Sequence, residues 1–248
     1  MALNYNAMKD IKIEKLQNMT LYNCDCMDMF KEIPDKSIDL VLTDSPYELD
    51  IHGGTKNNDF GNRKLISEKH IDYICSGFDY DNVFHEFERV LKNMNMLIFC
   101  SNNQISKIMS YWENKGYSTT LLVWDKPNPI PLCNGKHVSN LEFIIYVRGK
   151  NATWNNLGYS MSLKSYHYPA PKERIHDTEK PNDLLRQLLL IHSNIGDTIL
   201  DPFGGSFSTA IACHDERRNF IGSEIDEVFF DKAYKRLRMH VRQLDLFK

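Results

Sequence analysis

Three short stretches carry residue types that can do chemistry. In Leu40-Val41-Leu42-Thr43-Asp44-Ser45-Pro46-Tyr47, an apolar run breaks on a carboxylate, a small polar residue, a proline and an aromatic ring. A carboxylate accepts hydrogen bonds, a tyrosine ring offers a face for stacking, and proline fixes the turn between them. In Asp201-Pro202-Phe203-Gly204-Gly205-Ser206, a strand ends on an acid and turns through two glycines. Such glycines let the backbone approach a ligand closely and adopt positive φ. About twenty residues on, strand Asn219–Ser223 ends at Glu224, where an acid can accept hydrogen bonds from ribose hydroxyls. Strand, glycine turn, helix, strand and acid together read as a nucleoside-cofactor site. In open parallel sheets, ligands sit beyond the carboxyl ends of the strands. No GK[ST] follows, so this is not a phosphate loop, and the absence of GxGxxG disfavours a nicotinamide site. Taken alone, each stretch has a plainer reading. Asp44 caps the next segment with Tyr47 packed, and Glu224 is an acid favoured at a helix N-terminus.

The elements that must position these residues follow from the pattern of apolar runs. Seven strands are expected: Met19–Asn23, Ile38–Thr43, Met96–Ser101, Ser118–Trp124, Leu141–Val147, Thr198–Leu200 and Asn219–Ser223. Helix-period segments, Asn82–Leu91, Gln104–Asn114, Asn182–His192, Ser208–His214 and Glu227–Val241, lie between most of them. Pro181 suits the start of the third. This alternation predicts an α/β fold with a mostly parallel sheet and helices on both faces. Ser118–Trp124 and Leu141–Val147 are joined by KPNPIPLCNGKHVSN, with no helix, and are expected to pair antiparallel. Two long segments fit no element: 48–80, after the first motif, and 149–175, where aromatic and basic residues mix. Long irregular stretches in a compact domain are commonly functional.

The 248 residues, 42% of them hydrophobic, fit a single α/β domain, 1–248. Net charge is −3, so no global basic field announces nucleic acid. The charge is uneven, however. Residues 126–176 hold seven basic and two acidic side chains, net +5 in a chain that totals −3. That local excess suits a face tracking phosphates. The six cysteines form no zinc pattern beyond a lone CxC at Cys24 and Cys26, so reduced thiols and no metal are expected. The N-terminus has no apolar signal core, and no run approaches the ~20 apolar residues of a membrane span. A cytoplasmic protein with no membrane partner is the expectation.

Together, DSPY and DPFGGS resemble two signatures of the S-adenosylmethionine-dependent DNA amino-methyltransferases. Asp44-Ser45-Pro46-Tyr47 resembles the catalytic motif (D/N/S)PP(Y/F/W), and Asp201 to Ser206 resembles the cofactor motif DPFxGSGT. The catalytic motif comes first, the circularly permuted order of the family's β group. The resemblance extends over nearly the whole chain. Leu21–Asp25 is similar to the strand whose acid, here Asp25, approaches the cofactor adenine. His176-Asp177-Thr178-Glu179-Lys180-Pro181 is similar to the H-x-T-x-K-P segment that closes over the cofactor, implicating Thr178, Lys180 and Pro181. By their own types, Asp25 reads equally as a surface acid and Lys180 as a solvated helix-start lysine. Residues 221–226, around Glu224, resemble the ribose-binding strand end, and 122–126 the family's W-x-K strand. Segment 149–175 occupies the family's target-recognition position. Ser45 stands where the family has proline and keeps the backbone carbonyl the motif uses. Phe207 stands where it has glycine and is expected to narrow the cofactor pocket.

The resemblance implies a Rossmann-like sheet, S-adenosylmethionine as cofactor, double-stranded DNA as partner, and methylation of adenine N6. An aspartate at the head of the motif is commoner for adenine, a serine for cytosine N4. The implied roles are these: Tyr47 stacks the flipped base, Asp44 and the Ser45 carbonyl accept the amine hydrogens, and Pro46 fixes their angle. Lys126, Lys150, Lys164, Lys172 and Arg174 are the expected DNA contacts. The small recognition insert fits a short site or a homodimer, and any restriction nuclease would be a separate chain. The alternatives are the cytosine-N4 enzyme and a non-catalytic DNA-binding homologue, the latter resting on Phe207.

Overall fold

The computed structural model describes residues 11–47, 78–129, 137–172 and 179–245. Its centre is one nine-stranded sheet in the order β1-β2-β9-β8-β3-β4-β6-β5-β7. The strands are β1 (Lys12–Leu16), β2 (Met19–Asn23), β3 (Leu40–Asp44), β4 (Asn95–Cys100), β5 (Ser118–Asp125), β6 (Leu141–Arg148), β7 (Ser165–His167), β8 (Thr198–Asp201) and β9 (Asn219–Ser223). The described helices are α1 (Cys26–Phe30), α2 (Tyr80–Val90), α3 (Ile105–Asn114), α4 (Asn182–His192), α5 (Ser208–Asp215) and α6 (Glu227–Asp245).

Successive strand residues point to opposite faces, and both faces are apolar here. Leu40, Leu42, Leu97 and Phe99 join one core with Leu184 and Leu188 of α4, Ala210 of α5 and Leu237 of α6. Val41, Met96 and Ile98 join the other, with Phe30 of α1, Phe87 of α2 and Trp112 of α3. Continuous apolar strands of this kind belong to sheets covered on both sides.

The seven expected strands form the middle of the sheet, and β5 and β6 pair antiparallel over their whole length. Two further strands extend it. β1 pairs antiparallel with β2, and β7 pairs parallel with β5. The expectation of seven strands with one reversed is therefore corrected to nine with two reversed, β1 and β6. β1 reads KIEKL, a half-exposed alternation on a sheet edge with no apolar run to announce it. β7 has three residues, below the length at which a periodicity can show.

The reversal of β6 matters for chemistry. Asp44 ends β3 beside Phe99 of β4, and Phe99 pairs with Ile144 of β6. Because β6 runs backwards, its first residues, Leu141 and Glu142, lie at the same rim as the last residues of β3, β4 and β5. No described helix is long and apolar enough to cross a membrane. Segment 48–77, most of the expected loop after DSPY, lies outside the described residues, as do Arg174 and Thr178.

Candidate functional site

An open cleft lies beyond the carboxyl ends of β3, β8 and β9. All four residues of Asp44-Ser45-Pro46-Tyr47 line it, as do Asp201 to Ser206, Lys180 and Glu224. The two motifs, more than 150 residues apart in sequence, meet because β3 and β8 are neighbours in the sheet.

The DSPY turn is held from behind. The Ser45 hydroxyl donates to the Phe99 carbonyl at 2.8 Å, an anchor that proline could not provide. Gln104, fully buried, donates from its amide to the Pro46 carbonyl and to the Tyr80 hydroxyl, both at 2.9 Å. Its own amide oxygen is fixed by the Ser101 backbone N–H at 2.9 Å.

Asp44 sits at the centre of a charged network. Lys180 Nζ donates to Asp44 Oδ2 at 2.6 Å and lies 3.2 Å from Glu142 Oε2. Glu142 Oε1 accepts from Lys126 Nζ at 2.7 Å, and Glu142 Oε2 accepts from the Tyr47 hydroxyl at 3.1 Å. Burial holds the Asp44 carboxyl above the ordinary carboxylate range, opposed by Lys180. Burial also pushes Glu142 up, but Lys180 and Lys126 more than offset this and leave it below its ordinary value. Burial disfavours the Lys180 ammonium, while Asp44 and Glu142 together hold its pKa above the ordinary lysine value. Asp44 Oδ1 is buried and has no hydrogen-bond partner among the described residues.

On the other side of the cleft, Glu224 accepts from the Gly205 N–H at 2.9 Å and the Asp226 N–H at 2.8 Å. Burial pushes its carboxyl up to about 7. Gly205 has φ +51°. At Gly204 a Cβ would meet the Phe207 ring at 2.2 Å and the Ser223 carbonyl at 3.0 Å, so only glycine fits. Asp201 braces this turn. It accepts from Thr43 Oγ1 at 2.7 Å, Thr209 Oγ1 at 2.8 Å and the Phe203 N–H at 3.2 Å. Burial raises it to about 6 against those three donors. Ser206 is tied by its carbonyl to Arg236 of α6 at 2.6 Å, and the same guanidinium donates to Glu179 at 2.5 Å.

Phe207 does not narrow the cleft, which corrects that expectation. Its backbone is left-handed, φ +53°, and its ring is wholly buried in the core against Phe220 and Phe230, 6.2 and 5.8 Å between centroids. Asp25 caps α1, accepting from the Met27 N–H at 2.8 Å, and the neighbouring Cys24 and Cys26 line the cleft instead. Pro181 is the N-cap residue of α4. Among the expected DNA contacts, Lys126 is engaged with Glu142. Lys172 is exposed and follows Ala170, which bonds Asn128 just past the end of β5, at the same end of the sheet as the cleft. Lys164 is exposed and precedes β7. Lys150 is exposed at the opposite end of the sheet, just after Arg148, which pairs with Asn95 at the start of β4.

Glu142, Gln104 and Arg236 were not singled out from sequence. For Glu142 a signal existed: an acid is the second residue of an apolar strand, a lysine directly follows the end of the partner strand, and Trp124 pairs with Glu142 in register.

A cleft flanked by a buried carboxylate, an aromatic ring and a glycine turn, beyond a parallel sheet, defines a nucleoside-cofactor α/β protein. The chain belongs to the N6/N4 DNA methylase family, whose model matches residues 38–235. It is 28% identical to the type II methyltransferase M.HinfI of Haemophilus influenzae, over 88% of this chain and 68% of that protein. The solved M1.HpyAVI–SAM complex is 27% identical with a TM-score of 0.67, over 88% of this chain and 99% of that one. The cytosine-N4-specific PvuII DNA methyltransferase shares the fold at 14% identity and TM-score 0.69, over 89% and 86%.

Proposed function

We propose that this chain transfers a methyl group from S-adenosylmethionine to the exocyclic N6 of an adenine swung out of duplex DNA. The observation that carries the reading is that Asp44, Ser45, Pro46 and Tyr47 line one cleft with the Asp201–Ser206 turn and Glu224. A carboxylate and an aromatic ring therefore stand beside a turn suited to a nucleoside cofactor.

The cleft suits the cofactor. Glu224 presents a carboxylate for ribose hydroxyls, and Gly204 and Gly205 let the backbone come close. When bound, S-adenosylmethionine supplies an electrophilic methyl group on a sulfonium centre. The chain's own part is positioning. Tyr47 offers its ring to the extruded base, a contact worth roughly 1–3 kcal/mol against the few spent on unstacking. Its hydroxyl is held by Glu142, so the plane of the ring is set before the base arrives. The Asp44 carboxylate accepts an amine hydrogen, which builds lone-pair character on the nitrogen, and takes the proton shed as the nitrogen gains carbon and the methyl leaves sulfur. Ser45 holds the turn through Phe99 in place of the first ring of a PP pair.

Adenine is favoured over cytosine by the aspartate at the head of the motif. The fold does not choose between them, being shared with a cytosine-N4 enzyme. The non-catalytic reading loses its support, because the Phe207 ring faces the core. DNA contact is assigned to Lys172 and Lys164, with Arg174 beside them in sequence.

The test is incubation of the purified chain with S-adenosylmethionine and mixed-sequence duplex, followed by digestion to nucleosides and mass spectrometry. N6-methyladenine is expected. N4-methylcytosine would keep the chemistry and overturn the base, while the absence of any methylated nucleoside would overturn the function.

A further inference from the structure

We propose that Glu142 is a positioning residue for the transfer, dividing the charge of Lys180 between two carboxylates so that Asp44 stays basic enough to serve the amine. The inference rests on the methyltransferase reading and adds a residue to it.

Lys180 Nζ touches Asp44 at 2.6 Å and Glu142 at 3.2 Å, and its side chain is 4% exposed. Two carboxylates and two lysines, Lys180 and Lys126, make the group neutral. A buried ammonium facing one carboxylate alone would give that carboxylate its full attraction. Asp44 would then be a tightly paired, weakly basic ion. With Glu142 present, the lysine is shared, and Glu142 also repels charge on Asp44. The other titratable groups facing Asp44 are Tyr47, Cys100 and Asp201. The first two are neutral, with burial raising both the Tyr47 hydroxyl and the Cys100 thiol. Asp201 ends the neighbouring strand β8 and has its own three donors.

Glu142 has a second hold on the site, the Tyr47 hydroxyl. In Glu142→Gln the amide oxygen can still accept from tyrosine, but no charge remains to share Lys180. That substitution therefore separates the electrostatic role from the steric one.

The experiment pairs two readouts. The first is the pH dependence of single-turnover methyl transfer. In E142Q, kcat is expected to fall ten- to a hundredfold, KM for S-adenosylmethionine to stay within twofold, and the acidic limb to move to lower pH by at least half a unit. The second is a carbon-13 NMR titration of the Asp44 carboxyl in the free protein, which needs no turnover and is expected to move the same way. Lys126→Met should move both readouts to higher pH, because Glu142 then draws more on Lys180. This opposite sign keeps the inference testable if E142Q fails to fold. Glu142→Asp, which keeps the charge, should hold the acidic limb near its wild-type position. An Asp44 titration and acidic limb unmoved in both E142Q and K126M would overturn the proposal. A wild-type chain that methylates nothing would overturn the function instead, and the titration alone would then decide whether Glu142 governs Asp44.

Discussion

At the scale of single residues, two side chains show how a site departs from its local rules. Ser45 replaces a ring constraint by a hydrogen bond to Phe99. Phe207 adopts a left-handed backbone that glycine takes freely and other residues take at a cost of order 1–2 kcal/mol. Its compensation is a wholly buried ring between Phe220 and Phe230. Truncating a buried phenylalanine to alanine costs about 3–5 kcal/mol. Phe207→Ala should therefore lose that much, since it keeps the backbone strain and forfeits the ring. Phe207→Gly should lose about 1–2 kcal/mol less, because it relieves the strain. Urea unfolding at equilibrium gives the order, and a glycine variant less stable than the alanine one would refute the strain argument. Cofactor affinity should barely change in either, as the ring faces the core.

At the scale of elements, the ends of strands decide which charges can act together. Asp44, Glu142 and Lys126 lie at or beside strand ends on one rim, whereas Lys150 follows the far end of β6. A phosphate contact contributes roughly one unit of slope to the logarithm of affinity against the logarithm of salt. Lys172→Ala should flatten that slope by about one, and Lys150→Ala should leave it unchanged. Titrations of a duplex at several salt concentrations distinguish them, and the reverse result would move the DNA face to the other end of the sheet. This is where the sequence was legible and where it was not. Apolar runs located Asp44, Asp201 and Glu224 at strand ends, because period and turn chemistry are local. The basic excess of 126–176 was legible only as a sum. It could not show that Lys126 is spent on Glu142 or that Lys150 lies across the molecule, since both depend on β6 running backwards. Glu142 itself counted only as one of two acids in that stretch, because its partners Tyr47 and Lys180 lie far away in sequence.

At the scale of the whole molecule, stability against pH is the sum of buried groups that pull in opposite directions. Asp201, near 6, and Glu224, near 7, take up a proton in the folded state before the unfolded one. Their contribution is greatest at low pH and is lost as pH rises through those values. His192 does the reverse. Its ring is buried against Tyr146 at 4.2 Å and Trp154 at 5.3 Å, at the far end of α4 from the cleft. Burial, with Arg148 adding to it, lowers its pKa to about 3. The unfolded chain binds that proton near pH 6.5 and the folded chain does not, so the stability His192 contributes is present above 6.5 and lost as pH falls toward 3. At about 1.4 kcal/mol per unit, the loss between pH 7 and pH 4.5 is roughly 3 kcal/mol. His192→Phe keeps an aromatic ring in the stack and removes the titration. Urea unfolding at the two pH values should show the variant losing about 3 kcal/mol less than the parent chain. Asp201 and Glu224 contribute equally to both, so the difference isolates the histidine. Equal losses would mean that the ring is solvated well enough to protonate in place against Tyr146 and Trp154.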